Sequence, residues 1–384
     1  MTDGSICTNS SPSQLCGGPP LLLEGSPYER GLAHGETFRS QIHDLVGRWK
    51  VEVAHMYQID AGVAIARFVR GIDFVPAIRR WTPDLQDEIR GIAAGADMDW
   101  QTVLALQLLD EMWSNEDVIL AEHCSSLGIP AQAAEPAYVA QNVDVESLRD
   151  GFQVLLHIRH ADSDLESFVL STAGLMGFNG LNNRSVGICC NALVPLRGCR
   201  DGLPVACIVR GVLQQPSMQE AVTFLQAVRH ASGQNCIVGG PVGVVDLECS
   251  ANQVIPFELC GPGGVVWHTS HPLVNSDTNA WYKAEDKPFL PNSSARYQSM
   301  ERRLIHPPQG TRPDQIREIL TSKDSAEHPI CGSKGEGEFY SRLGMVTFAS
   351  TIMILGDEPA LYVSSGPPDI APYCQFEFGT PSVS

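Results

Sequence analysis

The chain has 384 residues, of which 43% are apolar and 18% are charged, and its formal net charge at pH 7 is −18. This length and apolar fraction are typical of a globular protein that buries a large core. So negative a charge disfavours binding to nucleic acid or to an anionic membrane. The sequence also lacks an 18-residue apolar stretch, so we expect neither nucleic acid nor a membrane as a partner.

The first 25 residues are rich in Ser, Gly, Pro and Cys, which predicts a flexible tail over residues 1–25. Leu21–Leu23 is too short for the apolar core of a signal peptide, and no basic segment precedes it. We therefore expect a cytoplasmic protein, in which cysteines are reduced.

Residues 26–123 have the pattern of helices. Ser26 to Glu29 forms a capping box with proline at the first helical position, and apolar residues follow at a spacing of three to four as far as Trp49. Thr82 precedes a second helix and Asp99 caps a third.

From Cys124 onward the pattern is mainly that of β-strands with tight turns. Strands followed by a helical pair and then by further strands indicate two mostly antiparallel β-layers with helices packed outside. There is no βαβ pattern and no glycine-rich phosphate loop, so we expect no nucleotide and no other cofactor. Strands are predicted near 137–140, 151–160, 168–170, 174–181, 185–191, 235–238, 243–249, 265–268, 346–354 and 360–364, and helices near 205–214, 217–229, 293–304 and 312–320.

Cys124 is the candidate nucleophile. It is followed by two serines, and some twenty residues later a predicted strand ends in Gln141, Asn142, Val143 and Asp144. An amide and a carboxylate on a strand beside the cysteine suit a nucleophile held between two strands. The spacing alone does not prove this role, because a cysteine in a protein core is more often a small buried apolar residue.

These segments resemble the Cys-Thr-x … Gln-Asn-Trp-Asp signature of the acyl-coenzyme A:6-aminopenicillanate acyltransferase (isopenicillin N acyltransferase) family, in the superfamily of cysteine N-terminal-nucleophile hydrolases. The resemblance spans about residues 26–370, and its specificity lies in the order and spacing of several motifs. The further matching segments are Gly31–Gly35, Gly177–Asn182, Asn191–Leu193, Ser232–Cys236 and His268–His271.

The resemblance implies an α+β fold, a four-layer αββα sandwich with antiparallel sheets. It also implies a proenzyme that cuts itself between His123 and Cys124. The products would be a chain of 1–123, comprising the tail and the helical segment 26–123, and a β-rich catalytic chain of 124–384. The two chains would associate as one compact domain.

The resemblance also implies roles for single residues. Cys124 would attack through its thiol, with its own new α-amino group as the base, and Asp144 would orient that amino group. Asn235 would help to form the oxyanion hole. Arg296 would bind a substrate carboxylate, and Asn142 would position the strand or supply another donor.

The sequence departs from the family pattern at Val143 and at His123. Val143 replaces the usual tryptophan, which alters the wall beside the nucleophile. His123 occupies a position where glycine often precedes the cut. His268 and His271 form a His-x-x-His pair without a third ligand, so we expect no metal site.

The leading hypothesis is a self-processing cysteine acyltransferase that moves an acyl group from an acyl-CoA or amide donor to an amine acceptor in secondary metabolism. The alternative is an amidohydrolase that forms the same acyl-enzyme, and the acidity of the chain favours this outcome for a neutral or cationic amide. A papain-like protease would need a Cys-Gly-Ser-Cys-Trp signature, which is absent. A non-catalytic relative is a further alternative, against which the joint presence of Cys124, Asp144 and Asn235 argues.

Overall fold

The computed structural model describes residues 15, 18–114, 124–133, 135–161, 163–258, 261–283, 290–307, 312–336, 340–341 and 344–379. The helices within these residues are α1 (Pro27–Thr37), α2 (Arg39–Tyr57), α3 (Ala61–Arg70), α4 (Phe74–Trp81), α5 (Pro83–Ala96), α6 (Trp100–Leu106), α7 (Leu109–Ser114), α8 (Val205–Leu213), α9 (Met218–Ala227), α10 (Leu290–Ile305) and α11 (Arg312–Leu320). The strands are β1 (Leu21–Leu23), β2 (Ser125–Ile129), β3 (Ala137–Glu146), β4 (Gln153–Arg159), β5 (Glu166–Thr172), β6 (Asn179–Asn182), β7 (Gly187–Ala192), β8 (Gln234–Gly239), β9 (Val244–Cys249), β10 (Val254–Pro256), β11 (Val266–His268), β12 (Met345–Leu355), β13 (Ala360–Ser364) and β14 (Tyr373–Glu377).

The predicted helix starts at Ser26 and Asp99 are confirmed. The Ser26 hydroxyl accepts from the Glu29 N–H while Glu29 accepts from the Ser26 N–H, which is a complete capping box. Asp99 accepts from the Thr102 N–H at 2.8 Å and so caps α6.

Helices α1 and α5 pack backbone against backbone through glycines. A Cβ added at Gly31 would lie 1.9 Å from the carbonyl oxygen of Glu88, and one added at Gly35 would lie 2.4 Å from that of Ile92. Gly91 and Gly95 make the reciprocal contacts from α5. The glycine spacing of the 31–35 motif is therefore a requirement of helix packing.

The described strands form two sheets. The large sheet has the order β1-β4-β5-β6-β7-β8-β9-β10, and the small sheet has the order β11-β2-β3-β12-β13-β14. Among the described strands, every neighbouring pair is antiparallel except β1 and β4.

Three apolar clusters separate four layers. The first lies between helices α1–α9 and the large sheet, the second between the two sheets, and the third between the small sheet and helices α10 and α11. The central strands thus bury both of their faces, which explains why the burial pattern of β3 is almost continuous. The predicted αββα sandwich with antiparallel sheets is confirmed.

Several boundaries differ from those predicted. The predicted tail of 1–25 is too long, because Leu21–Leu23 is a strand that pairs in parallel with β4 and buries Leu23. The strand predicted at 174–181 begins only at Asn179, since Gly174 and Gly177 adopt positive φ values of +84° and +155° that bend the chain. Helices α3 and α4 were not predicted.

The expectation that every cysteine is reduced is wrong for Cys374 on β14, which is disulfide-bonded. No helix in the described part of the chain is both long enough and apolar enough to cross a membrane.

Candidate active site

A cleft opens where the two sheets meet helices α7 and α8. It encloses about 530 Å³ of space between protein atoms, part of which is open to solvent. Its lining is largely apolar with a few polar side chains: Gln107, Leu109, Asp110, Cys124, Gln141, Val143, Val145, Arg149, Leu175, Gly177, Phe178, Cys190, Ala192, Val205, Ala206 and Gln234.

Cys124 lies in the wall of this cleft, directly before strand β2. Strands β2 and β3 pair with Ser125 opposite Asn142, so continuing the register by one residue brings Cys124 opposite Val143. Cys124 is only 6% exposed, and that exposure is toward the cleft. A ligand in the cleft would therefore meet the residue that the sequence predicts as the nucleophile.

Strand β3 presents two different faces near Cys124 because side chains alternate along a strand. Gln141, Val143 and Val145 line the cleft, and we call this side the cleft face. Asn142 and Asp144 point to the other side, which we call the back face. The motif of residues 141–144 thus contributes to both sides of the nucleophile.

Arg296 on α10 holds the nucleophile from the back face. Its Nη1 donates to the carbonyl oxygen of Cys124 at 2.9 Å and to Ser125 Oγ at 2.6 Å, and its Nε donates to Asn292 at 2.9 Å. The side chain is fully buried, and burial lowers its pKa while the charge of Asp144 raises it. These contacts fix the backbone of Cys124, and the predicted contact of Arg296 with a substrate carboxylate stays a prediction.

Asp144 is fully buried beside this arginine and accepts a hydrogen bond from Tyr340 Oη at 3.2 Å. Burial raises the pKa of Asp144 to about 7, although hydrogen bonds from Thr347 and Tyr340 and the charge of Arg296 act to lower it. The carboxyl group therefore changes its charge near neutral pH. Its predicted role in orienting the α-amino group of Cys124 stays a prediction.

Asn142 connects the back face of β3 to the outer helical layer. Its Nδ2 donates to the carbonyl oxygens of Leu320 and Ile330, at 2.8 and 3.1 Å. These bonds join β3 to the end of α11 and to the loop that follows it, and the strand-positioning role of Asn142 stays a prediction. Substrate binding by Asn142 stays a prediction.

Asn235 on β8 belongs to a buried amide network that reaches the nucleophile's strand. Its Nδ2 donates to Asp246, and its Oδ1 accepts from Asn191 Nδ2 at 3.0 Å. Asn191 also donates to Ser126 Oγ at 2.6 Å, two residues beyond Cys124. Gln234, the neighbour of Asn235, is the residue of this segment that lines the cleft. The oxyanion role of Asn235 stays a prediction.

The two histidines of the His-x-x-His segment make hydrogen bonds within the fold. His268 Nε2 lies 3.0 Å from Glu248 Oε1, and His271 Nδ1 lies 2.7 Å from Ser293 Oγ. Burial raises the pKa of Glu248, but His268 and backbone N–H groups overcome this effect and lower it. In the part of the chain that the structure describes, no group of three or more His, Cys, Asp or Glu is arranged to hold a metal ion.

The structure adds two charged residues to the cleft that sequence reasoning missed. Asp110 on α7 lines one side and accepts from Gln234 Nε2 at 3.3 Å. Arg149 follows β3, lies 2.8 Å from Glu146 and covers the ring of Phe178 at 5.9 Å. Both lie outside the family motifs, and only their placement in three dimensions brings them beside Cys124.

The predicted cleavage residue His123 lies outside the described residues.

Residues 132–344 match the family described as acyl-coenzyme A:6-aminopenicillanic acid acyl-transferase. This match covers more than half of the chain and begins shortly after Cys124. The chain belongs to this family. The family resemblance predicted from the motifs is thereby confirmed.

The chain is also similar to protein dcd1A from Dictyostelium discoideum, with 26% identity over 249 residues that cover 53% of either protein. It therefore spans about half the length of this relative. Among solved structures it is similar to penicillin V acylase from Agrobacterium tumefaciens, with 12% identity, a TM-score of 0.45, and coverage of 66% of this chain and 86% of that one. A mutant of the conjugated bile acid hydrolase from Clostridium perfringens gives 10% identity, a TM-score of 0.41, and coverage of 66% and 92%.

Proposed function

We propose that the protein transfers an acyl group from an acyl-CoA or amide donor to an amine acceptor through a thioester on Cys124. The observation that carries this proposal is the position of Cys124: it faces a small, largely apolar cleft while Arg296 fixes its carbonyl oxygen at 2.9 Å. A nucleophile needs both access to its substrate and a fixed direction of attack. Cys124 has both.

The proposed mechanism makes Cys124 its own base. The chain cuts itself between His123 and Cys124, which frees an α-amino group with an ordinary pKa of about 7.7–8.0. The neutral amine accepts the proton of the thiol, directly or through water, as the sulfur attacks the donor's carbonyl carbon. Asp144 orients the amino group in its ionised form. Because burial raises the pKa of Asp144 to about 7, this form predominates only above neutral pH.

Developing negative charge on the carbonyl oxygen of the donor is stabilised from the side of strands β7 and β8. By the family resemblance we assign this role to Asn235, whose Nδ2 must exchange its hydrogen bond to Asp246 for one to the donor's oxygen. The leaving group departs, and an amine attacks the thioester to release the product and restore the thiol.

The lining of the cleft suggests how the two substrates divide it. The apolar wall of Val143, Val145 and Leu175 suits the acyl group. Asp110 supplies a carboxylate for a cationic acceptor amine, and Arg149 supplies a guanidinium for an acidic group on either substrate.

Hydrolysis of a neutral or cationic amide is the second candidate, because it requires only that water replaces the amine, and the net charge of −18 disfavours an anionic CoA donor. A role in secondary metabolism and a cytoplasmic location remain part of the proposal. The disulfide of Cys374 is more typical of an oxidising compartment and so argues against the cytoplasmic location.

Mass spectrometry of the intact protein tests the proposal. Wild type and Cys124→Ala are incubated with a panel of acyl-CoA and amide donors, with and without an amine. We expect an acyl adduct on Cys124 that disappears when the amine is added, and no adduct on the variant. Equal product formation by Cys124→Ala would overturn the thioester.

A denaturing gel tests the cut. From the mass of 41.6 kDa for 384 residues, the expected fragments are about 13 and about 28 kDa. Fully active material whose only N-terminal sequence begins at Met1 would exclude the amine as the base.

A further inference from the structure

Three thiols lie side by side across the large sheet, on neighbouring strands β7, β8 and β9. Cys190 on β7 is directly opposite Cys236 on β8, and their Sγ atoms are 3.5 Å apart. Cys249 on β9 lies next to Cys236 in the same core, between the sheet and the helices. None of the three has a part in the mechanism proposed above.

The pair Cys190 and Cys236 has the geometry of a dithiol that can close. Opposed residues of antiparallel strands have Cα atoms about 4.5–5.5 Å apart. Disulfides span Cα separations of about 4.4–6.8 Å. The backbone can therefore stay in place, and only side-chain rotation must bring the sulfurs from 3.5 Å to bonding distance.

The two thiols differ in access. Cys190 is 9% exposed and lines the same cleft as Cys124, whereas Cys236 is completely buried behind it. A small reagent that enters the cleft thus meets the Cys190 sulfur first, with a second thiol already in contact. What the geometry provides is a contacting pair of thiols, one of which borders the cleft, that a two-electron oxidant can close into a disulfide.

We propose that Cys190 and Cys236 form a site of oxidative modification whose reagent is a small hydroperoxide. The Cys190 sulfur attacks the terminal oxygen of the hydroperoxide, the O–O bond breaks, and the alcohol or water leaves with Cys190 as a sulfenic acid. The Cys236 sulfur then attacks the Cys190 sulfur, and the sulfenic oxygen leaves as water. In sum, two thiols and one hydroperoxide give one disulfide, one alcohol (or water) and one water.

Closing the disulfide changes the wall of the cleft. A disulfide bond is about 2.05 Å long, so the Cys190 sulfur moves toward Cys236 and away from the cleft. Since Cys124 is untouched by this step, we expect the substrate KM to change by about three- to ten-fold, with a smaller change in kcat. This inference does not depend on which acyl donor the enzyme uses.

The test uses the full-length reduced enzyme and hydrogen peroxide as the probe. After brief oxidation the protein is denatured and alkylated, and its peptides are mapped. We expect a peptide pair joined between Cys190 and Cys236, a loss of about 2 Da in intact mass for the two hydrogens removed, and reversal by dithiothreitol. Oxidation of Cys124 is followed separately on its own peptide. KM is compared before and after, because KM is independent of the fraction of enzyme lost at Cys124.

Variants give the matched controls. Cys190→Ser and Cys236→Ser should each abolish the joined pair, whereas Cys189→Ser should keep it, because Cys189 is the neighbour on the opposite face of β7 and packs between the two sheets. Complete alkylation of Cys190 after oxidation would overturn the proposal. So would a Cys236–Cys249 disulfide formed equally well in wild type. A joined pair with unchanged KM would overturn the effect on the cleft.

Discussion

The two faces of strand β3 differ in chemistry although they are separated only by the alternation of side chains. On the cleft face, Val143 and Val145 are apolar and border open space. On the back face, Asn142 and Asp144 are completely buried and hydrogen-bonded to other layers. The difference suggests that the cleft face selects the substrate and the back face holds the nucleophile.

The energetic consequences of the two faces differ as well. A buried charge such as Asp144 or Arg296 depends on its partners, so removing one partner leaves the other charge buried and uncompensated. A change on the cleft face mainly removes contact with a ligand. We therefore expect substitutions on the back face to lower kcat and those on the cleft face to raise KM.

The largest effect is expected for Cys124 itself. Cys124→Ala should abolish both processing and turnover, a loss of about 10⁴-fold or more in kcat, because no other group can carry the thioester. Turnover assays and a denaturing gel measure this loss. Cys190→Ser is the matched control, since its thiol lines the same cleft, and it should retain most of the activity.

Lysine substitutions of Arg296, on the back face, and of Arg149, in the cleft, should have different kinetic effects. Arg296→Lys should lower kcat by about 100-fold, because a lysine cannot bond the Cys124 carbonyl and the Ser125 hydroxyl in the same planar geometry. Arg149→Lys should instead raise KM by about ten-fold for an acidic substrate and leave kcat nearly unchanged. Steady-state kinetics of both variants provide the measurement. If Arg296→Lys raises KM alone, the arginine binds substrate as the sequence suggested.

Asp144→Asn should lower kcat by about ten- to 100-fold and change its pH dependence. The wild-type rate should rise with pH through about 7, because the pKa of Asp144 is raised to about 7 and its ionised form is the active one. In Asp144→Asn the rise of the rate near pH 7 should vanish, and only the rise due to the α-amino group of Cys124 should remain. An identical pH profile would remove Asp144 from the reaction. Thermal unfolding of the variant distinguishes a lost function from a lost fold.

A smaller effect is expected on the cleft face. Val143→Trp restores the residue usual in the family and fills part of the wall beside Cys124. We expect KM for long acyl donors to rise by about ten-fold while short donors change little. A series of donors of increasing chain length measures this selectivity, and an equal effect on all donors would contradict the assignment of this wall to the acyl group.

The smallest effect concerns stability. Burial raises the pKa of Asp144 and Asp246 to about 7 and that of Glu111 to about 8. Between the unfolded pKa values near 4 and these folded values, the native state binds more protons than the unfolded state at these three sites, and this makes the free energy of unfolding fall as pH rises. Burial also lowers the pKa of His34, His160 and His271 to about 4, and these groups act in the opposite sense between pH 6 and pH 8. The contribution of one carboxyl group is therefore measured by difference: from pH 6 to pH 8 the melting temperature of Asp246→Asn should fall less, or rise more, than that of wild type, and equal changes would contradict the raised pKa of Asp246.

Sequence reasoning predicted the order of the elements well where local signals exist. The capping box at Ser26 and the cap at Asp99 depend only on residues three apart, and alternation reveals strands such as β4 without further context. Helices α3 and α4 were missed although Asp60 caps α3 and the apolar residues of each helix lie on one face, so the local signals are present in the sequence. The bend before β6 depends on two glycines whose positive φ values have no strong local signature.

In the candidate site, only the residues that belong to the family motifs could be predicted from the sequence. Cys124, Asp144, Asn235 and Arg296 were identified from the resemblance, and the structure places Arg296 against the backbone of Cys124. Asp110 and Arg149 were not identified because α7 and the segment after β3 meet only in the folded chain. The motif also does not determine which side of β3 each residue faces, because this depends on how β3 pairs with β2 and β12.

The parallel pairing of β1 with β4 has a consequence for any enzyme cut before Cys124. The smaller fragment would supply the edge strand of a sheet whose other strands all come from the larger fragment. Glu88 of the smaller fragment would also keep its bidentate ion pair with Arg210 of the larger one, at 2.6 and 2.9 Å. Because a shared sheet and a buried ion pair would join the two fragments, we expect them to elute together in gel filtration and to separate only under denaturing conditions.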